Sequence, residues 1–243
     1  NASKSAGLLA ASLPEPRNAG EAMAQRILEM RAAGKAGDVT DEMMAQADPQ
    51  YIFNNTPLDM SEAARMARAE GAGFDVDLPL YHGTDKDFQK FNPRAFGLKD
   101  SGWYGRGVYS DTDTEVAGGY ANYDELDIGQ NIMPIFARGR YMDWPDANQP
   151  FSNRESSIEG TNEISSLGYD GVRISNDRDF YGDNPDLQTE QVTFNPANIR
   201  SRFARFDPEF SHLSNLSAAN ASPLTGLMAM QAQPQPDLAA EIR

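Results

Sequence analysis

The chain has 243 residues, a formal net charge of −15, no cysteine and two histidines, His82 and His212. This acidity disfavours a partner held mainly through its phosphate backbone, so a protein partner is expected before a nucleic acid. The lack of cysteine excludes disulfides, a thiol nucleophile and zinc–thiolate sites, two histidines are too few for a histidine-rich metal cluster, and no apolar run of about eighteen residues predicts a membrane span.

The N-terminal part predicts a tail followed by helices. Residues 1–19 are small and polar and contain Pro14 and Pro16, which predicts a flexible tail. Residues 20–76 predict an N-terminal helical subdomain of three short helices, which begin near Gly20, Thr40 and Ser61. Helices of this length bury little between themselves, so we expect them to pack on the domain that follows.

The pattern changes near residue 78 to short apolar strands bounded by Gly, Pro, Asn or Asp. The predicted strands are LPLYHGT, GVYS, NIMPIFA, GYDGVRIS, EQVTF and an edge strand after Pro196. Helices are expected only after Asp113 and around residues 156–167, which favours an α+β fold of antiparallel strands without a βαβ array. This domain is predicted over residues 77–210, and residues 211–243 have the Gln-Pro and small-residue bias of a linker or disordered tail.

Residues 102–121, GWYGRGVYSDTDTEVAGGYA, concentrate glycines and aromatic residues and predict a binding wall. Gly105 and Gly107 permit a close backbone approach that a Cβ would block. Tyr109 is expected at the exposed end of a strand, and Tyr120, eleven residues later, lies on the helix that follows. The two rings can face each other across a flat ligand, and the alternative is that both are ordinary core aromatics.

Two further stretches place polar groups at strand ends. In YHGT, His82 precedes Gly83, whose backbone amide and carbonyl suit a planar carboxamide. Glu190 begins EQVTF, where a carboxylate must reach solvent or meet a partner. Taken singly, a histidine beside a glycine and a glutamate at a strand end are also typical of structural positions.

In their order and spacing, the three stretches resemble the ADP-ribosyltransferases of the His-Tyr-Glu class, which include the diphtheria-toxin catalytic domain and the poly(ADP-ribose) polymerases. YHGT at 81–84 resembles the first motif of that family, GVYSDTDTEVAGGYA at 107–121 the second, and Glu190 before QVTF the third. The resemblance covers about residues 78–206. It implies an ADP-ribosyltransferase-like split antiparallel β-sheet core, beside which the N-terminal helical subdomain would lie.

The resemblance implies NAD as the substrate and no metal. The nicotinamide ring would lie between Tyr109 and Tyr120, and the backbone of Gly83 would hydrogen-bond its carboxamide. His82, assisted by Thr84, would hold the ribose on the adenosine side.

The resemblance also implies the catalytic residues, which are Glu190, His82 and Tyr109. Glu190 would bond the 2′-hydroxyl of the nicotinamide ribose. A fixed carboxylate there would stabilise the oxocarbenium-like charge that develops as the glycosidic bond breaks.

Two positions set this chain apart within the resemblance. Ala117 stands where polymerase-type members carry a serine, so the chain resembles the diphtheria-toxin branch and mono-ADP-ribosylation is expected. Gln188 and Glu190 form a Gln-x-Glu pattern, which in the Arg-Ser-Glu class is associated with target choice. Phe180 and Tyr181 lie where the family places its target-recognition loop, although two aromatics in a loop can also fold back on their own domain.

The expected function is therefore a mono-ADP-ribosyltransferase that acts on a macromolecular target. One alternative is an NAD glycohydrolase, in which water replaces the target. Another is a non-catalytic interaction or packaging protein that retains the fold. The opening at Asn1 and the polar ends predict a soluble module of a larger polypeptide, such as a phage or bacterial multidomain effector.

Overall fold

A computed structural model describes residues 13–56, 58–86, 88–97, 102–121, 131–144, 151–175 and 189–216. Within these ranges the fold is mixed α and β, with six α-helices and one curled seven-stranded sheet. The helices are α1 (Ala19–Ala32), α2 (Asp41–Gln46), α3 (Pro49–Asn55), α4 (Glu62–Gly71), α5 (Thr114–Ala121) and α6 (Arg154–Ser166). The strands are β1 (Leu80–Thr84), β2 (Val108–Asp111), β3 (Asn131–Ala137), β4 (Tyr141–Asp143), β5 (Gly171–Ser175), β6 (Thr189–Thr193) and β7 (Ile199–Ser201).

The N-terminal helices begin at capping side chains. Asn18, Thr40 and Ser61 each accept a hydrogen bond from a backbone amide in the first turn of α1, α2 and α4, which confirms the three predicted helices. The sequence pattern missed α3. Pro49, expected only to end the preceding helix, also occupies the first turn of α3, where its missing N–H costs nothing, and Asp48 caps that helix.

The N-terminal helices do not form a complete hydrophobic core by themselves. Helices α1 to α3 surround a core that includes Ile27, Met44 and Ile52, and this core is completed by Phe210 and Leu213 from beyond the sheet. Phe206 and Phe136 pack in a further cluster with residues of α4. The expectation that these helices pack on the following domain is confirmed, and the described packing continues to Leu216. In the described part of the chain, no helix has the length and apolar character needed to cross a membrane.

The sheet has the strand order β4-β5-β6-β2-β1-β3-β7. All neighbours are antiparallel except β4 and β5, which pair in parallel and are joined through α6. A single unit of this kind is not the βαβ array that the sequence excluded, but the prediction of antiparallel strands was wrong at this edge. The reason is that β4 has three residues, too few for a recognisable period in the sequence.

The sheet opens between β1 and β2. β1 pairs with β3 at five positions but with β2 only at Tyr81 opposite Asp111, although both strands are fully described. Helix α5 covers β1 near this opening so closely that a Cβ on Gly83 would lie 1.7 Å from the carbonyl oxygen of Ala117. Only glycine fits at position 83 while the helix keeps this approach.

Candidate active site

A cleft of about 520 Å³ lies at the opening between β1 and β2. Its walls come from β1, β2, α5, β6 and the loop at residues 85–97. The cleft brings together all the described residues that the sequence predicted for the site: His82, Gly83, Thr84, Tyr109, Ala117, Tyr120 and Glu190. Its volume is typical of sites for small organic ligands and cofactors.

Three predicted target-recognition residues, Phe180, Tyr181 and Gln188, lie outside the described residues. Within the described ranges, no group of three or more histidine, aspartate or glutamate side chains is arranged to hold a metal ion.

The side chain of His82, on β1, spans the opening to β2. Its Nδ1 lies 2.7 Å from the carbonyl oxygen of Tyr109, and its ring meets the ring of Phe91 edge to face at 4.9 Å. Burial lowers the pKa of His82, so the imidazole is neutral at neutral pH. Because Nδ1 then donates to the carbonyl, Nε2 is left as an acceptor that suits a ligand hydroxyl.

The two tyrosines of the second stretch have different environments. The hydroxyl of Tyr109 donates to the carbonyl oxygen of Gly105 at 2.8 Å and accepts from the amide of Tyr104 at 3.0 Å. Tyr109 is half-buried, because the loop that contains Tyr104 and Gly105 folds over its hydroxyl. The expectation of an exposed strand end was therefore wrong. Tyr120 is 44% exposed and offers the more accessible ring to a ligand.

The glycines before β2 serve protein packing. A Cβ on Gly105 would meet the ring of Phe194 at 2.7 Å, and a Cβ on Gly107 would meet the carbonyl oxygen of Thr193 at 2.5 Å. The close approach to the backbone predicted at these two glycines is therefore present, but the groups that approach belong to this chain.

Sequence reasoning missed the aromatic end of the cleft. Phe88, Phe91 and Phe96 line it, together with Lys86 and Lys90. The signal was present in FQKFNPRAF, where three phenylalanines alternate with basic residues after β1. Apolar rings beside cations can accept a flat heterocycle joined to a phosphate group.

Sequence reasoning also missed Asp111, which lies directly opposite Glu190 in the pairing of β2 with β6. Asp111 lines the cleft and is only 2% exposed. Its Oδ1 accepts a hydrogen bond from the amide of Asp113 at 2.7 Å, and its Oδ2 has no hydrogen-bond partner among the described residues. Burial raises the pKa of Asp111 to about 6.

The chain matches no protein-family model, no curated protein and no solved structure.

Proposed function

We propose that the protein is a mono-ADP-ribosyltransferase, which cleaves NAD at the nicotinamide–ribose bond and transfers ADP-ribose to a macromolecular acceptor. One observation carries the proposal. His82, Gly83, Tyr109, Tyr120 and Glu190, which belong to three separate stretches of sequence, line a single cleft at the point where the sheet opens.

The nicotinamide end of NAD fits beside α5. The exposed ring of Tyr120 offers a stacking face, and Gly83 lines the same cleft, where its backbone would meet the carboxamide. Gly83 lets α5 lie directly against β1, which brings the helix that carries Tyr120 close to this strand.

The adenosine end fits on the side of His82 and the phenylalanines. The Nε2 of a neutral His82 can accept a hydrogen bond from a ribose hydroxyl, while Phe88 and Phe91 supply apolar surface for the adenine. Lys86, which is exposed at the same wall, supplies positive charge for the diphosphate.

Glu190 supplies the chemistry. As the bond from the ribose C1′ to nicotinamide breaks, its electron pair stays on the ring nitrogen and positive charge develops on the ribose. A carboxylate fixed on β6 favours that state over the ground state. A nucleophile of the acceptor then bonds to C1′ and releases its proton.

The test is incubation of the protein with NAD labelled in its adenine and with a cell lysate, after which label on protein, on nucleic acid and in free ADP-ribose is resolved. Label on protein, lost in the Glu190→Gln variant, supports the proposal. Label in free ADP-ribose alone makes the protein an NAD glycohydrolase. The absence of any nicotinamide release, with the protein folded, overturns both activities and favours a non-catalytic protein that retains the cleft.

A further inference from the structure

The environment of Asp111 is unusual for a buried carboxylate. Its hydrogen bonds come only from the backbone of its own turn, from Asp113 at 2.7 Å and from Thr112, and its second oxygen is buried without a hydrogen-bond partner among the described residues. A buried charge normally has a partner of opposite sign or several hydrogen bonds, because removal from water is costly.

The strands and helix around Asp111 provide no such partner. Asp111 lies between Tyr81 of β1 and Glu190 of β6 in the sheet, and α5 begins three residues later. Strands β1, β2 and β6 and helix α5, whose residues are all described, contain no lysine or arginine. Their titratable side chains are Tyr81, His82, Tyr109, Asp111, Glu115, Tyr120 and Glu190.

The other charged residues near Asp111 do not supply the missing positive partner. Burial is the largest cause of the raised pKa of Asp111, whereas Asp113 acts in both directions, because its backbone hydrogen bond lowers that pKa and its charge raises it. His82 is on the opposite face of β1 from Tyr81 and is kept neutral by burial. Lys90 lines the cleft on the loop after β1 and is bound to Asp41 at 2.8 Å. Strands β1, β2 and β6 and helix α5 therefore form an acidic wall without a lysine or arginine, and the described cations that line the cleft, Lys86 and Lys90, lie on the loop after β1.

We propose that Asp111 is the counter-ion of the positively charged nicotinamide ring, and that it makes the cleft select the oxidised dinucleotide over its neutral reduced form and over free nicotinamide. This inference rests on the proposed function and deepens it. Directly opposite residues of an antiparallel pair have Cβ atoms about 5 Å apart on the same face, so Asp111 and Glu190 face the same ligand region.

The two carboxylates then act at different stages. In bound NAD the positive charge is on the ring, where Asp111 stabilises it. When the C1′–nitrogen bond breaks, the ring becomes neutral and the charge passes to the ribose, where Glu190 stabilises it. The neutral nicotinamide no longer has an attraction to Asp111, which favours its release. Asp111 therefore contributes to binding of the substrate and Glu190 to turnover.

This assignment has a pH dependence of definite sign. Burial raises the pKa of Asp111 to about 6, and a bound cation would lower that pKa. Below pH 6 the cation must displace a proton, so its affinity falls as the pH falls and binding releases a proton. Above pH 6 the carboxylate is already ionised and the affinity reaches a plateau.

The test compares two probes that differ in charge, nicotinamide and the cation formed by methylation of its ring nitrogen. Binding of each is measured by calorimetry to wild type, Asp111→Asn and Asp113→Asn at pH 7.5 and pH 5. We expect wild type at pH 7.5 to prefer the cation, and this preference to fall at least about tenfold at pH 5 and in Asp111→Asn. Asp113→Asn at pH 7.5 is the matched control, since Asp111 is ionised there with or without the charge of Asp113, and the variant makes the same change outside the cleft lining while keeping a side chain that can cap α5.

With NAD itself, Asp111→Asn should raise KM at least about tenfold without lowering kcat. A preference for the cation that survives in Asp111→Asn, or that wild type lacks at pH 7.5, overturns the assignment. So does a fall in kcat with unchanged KM. If Asp111→Asn does not fold, the pH dependence and proton release of the wild type decide the question without a variant. If the wild type cleaves NAD but the preference for the cation is the same in Asp111→Asn, only the role of Asp111 is wrong. If the wild type does not cleave NAD, the proposed function is wrong.

Discussion

Two aspartates, the half-buried Asp41 at the junction of helices and sheet and the buried Asp111 in the cleft, have opposite environments. Asp41 accepts hydrogen bonds from Lys90 at 2.8 Å, from the amide and hydroxyl of Ser214, and from the amide of Asn215 at 3.1 Å. Burial alone would raise its pKa, but the hydrogen bonds from Lys90 and Ser214 hold that pKa below its usual value. The donors to Asp111 are only backbone groups of its own turn, and burial raises its pKa to about 6.

The difference separates a structural charge from one that is available to a ligand. Asp41 joins three parts of the molecule, because its donors come from the cleft loop and from the segment after Phe210, while it belongs to α2 itself. Its charge is fully used within the protein. Asp111 connects only the end of β2 to its own turn, so its charge remains available, and perturbed carboxyls of this kind are typical of functional sites.

The largest effect is expected for the other carboxylate of the cleft. Glu190→Gln keeps the shape of the side chain and removes its charge, so kcat for NAD cleavage should fall at least about a hundredfold while NAD affinity changes little. Steady-state cleavage and calorimetric binding measure the two quantities, with thermal melting as the control for folding. A Glu190→Gln enzyme with wild-type turnover would remove Glu190 from the mechanism.

At the junction, the prediction concerns stability. Asp41→Ala leaves Lys90 and the amides of Ser214 and Asn215 without their acceptor, so unfolding should become easier by about 2–3 kcal/mol. The shift is read from the midpoint of urea denaturation. The control is Glu42→Ala, a change at the next, exposed residue of α2. Equal midpoints for the two variants would show that the junction does not depend on Asp41.

The sequence predicted those parts of the site that lie in local motifs. Each of these parts lies on a strand or helix whose pattern is visible in a short window, and their residues are His82, Gly83, Tyr109, Tyr120 and Glu190. Likewise, the starts of α1, α2 and α4 are encoded by their capping residues. Local signals of this kind survive folding because the residue types dictate the local backbone.

The sequence could not predict the parts that depend on strand pairing. That Asp111 lies opposite Glu190 follows from the register of β2 with β6, two strands nearly eighty residues apart in the chain. The parallel pairing of β4 with β5 also joins separate parts of the chain. Such contacts are fixed by the whole fold, so a window of sequence carries no signal for them.

Within the cleft, the two tyrosines should respond differently to loss of the ring. Tyr120→Ala should weaken NAD binding by about 2 kcal/mol, or about thirtyfold in Kd, because it removes an exposed stacking face. Tyr120→Phe is the control, since it keeps the ring. Tyr109→Phe should instead lower stability, because the hydroxyl of Tyr109 bonds Gly105 and Tyr104. Calorimetry and thermal melting separate the two effects, and a wild-type Kd in Tyr120→Ala would exclude stacking on that ring.

The smallest expected effect is on stability, and it measures how much a buried Asp111 without a positive partner destabilises the folded protein. Its folded pKa of about 6 is above the value of about 3.9 expected in the unfolded chain, so the folded state binds the extra proton between these values. Stability from this group is therefore complete below about pH 4 and is lost as the pH rises through 6. Asp111→Asn removes the titration, so at pH 7.5 the variant should be more stable than wild type by about 1–2 kcal/mol, once solvent screening is allowed for. At pH 4 the two proteins should denature in urea at similar midpoints.

A variant that is more stable at pH 7.5 yet binds the methylated cation more weakly would show that the acidic wall lowers the stability of the wild type. A variant less stable than wild type at pH 7.5 would instead make Asp111 a structural residue like Asp41.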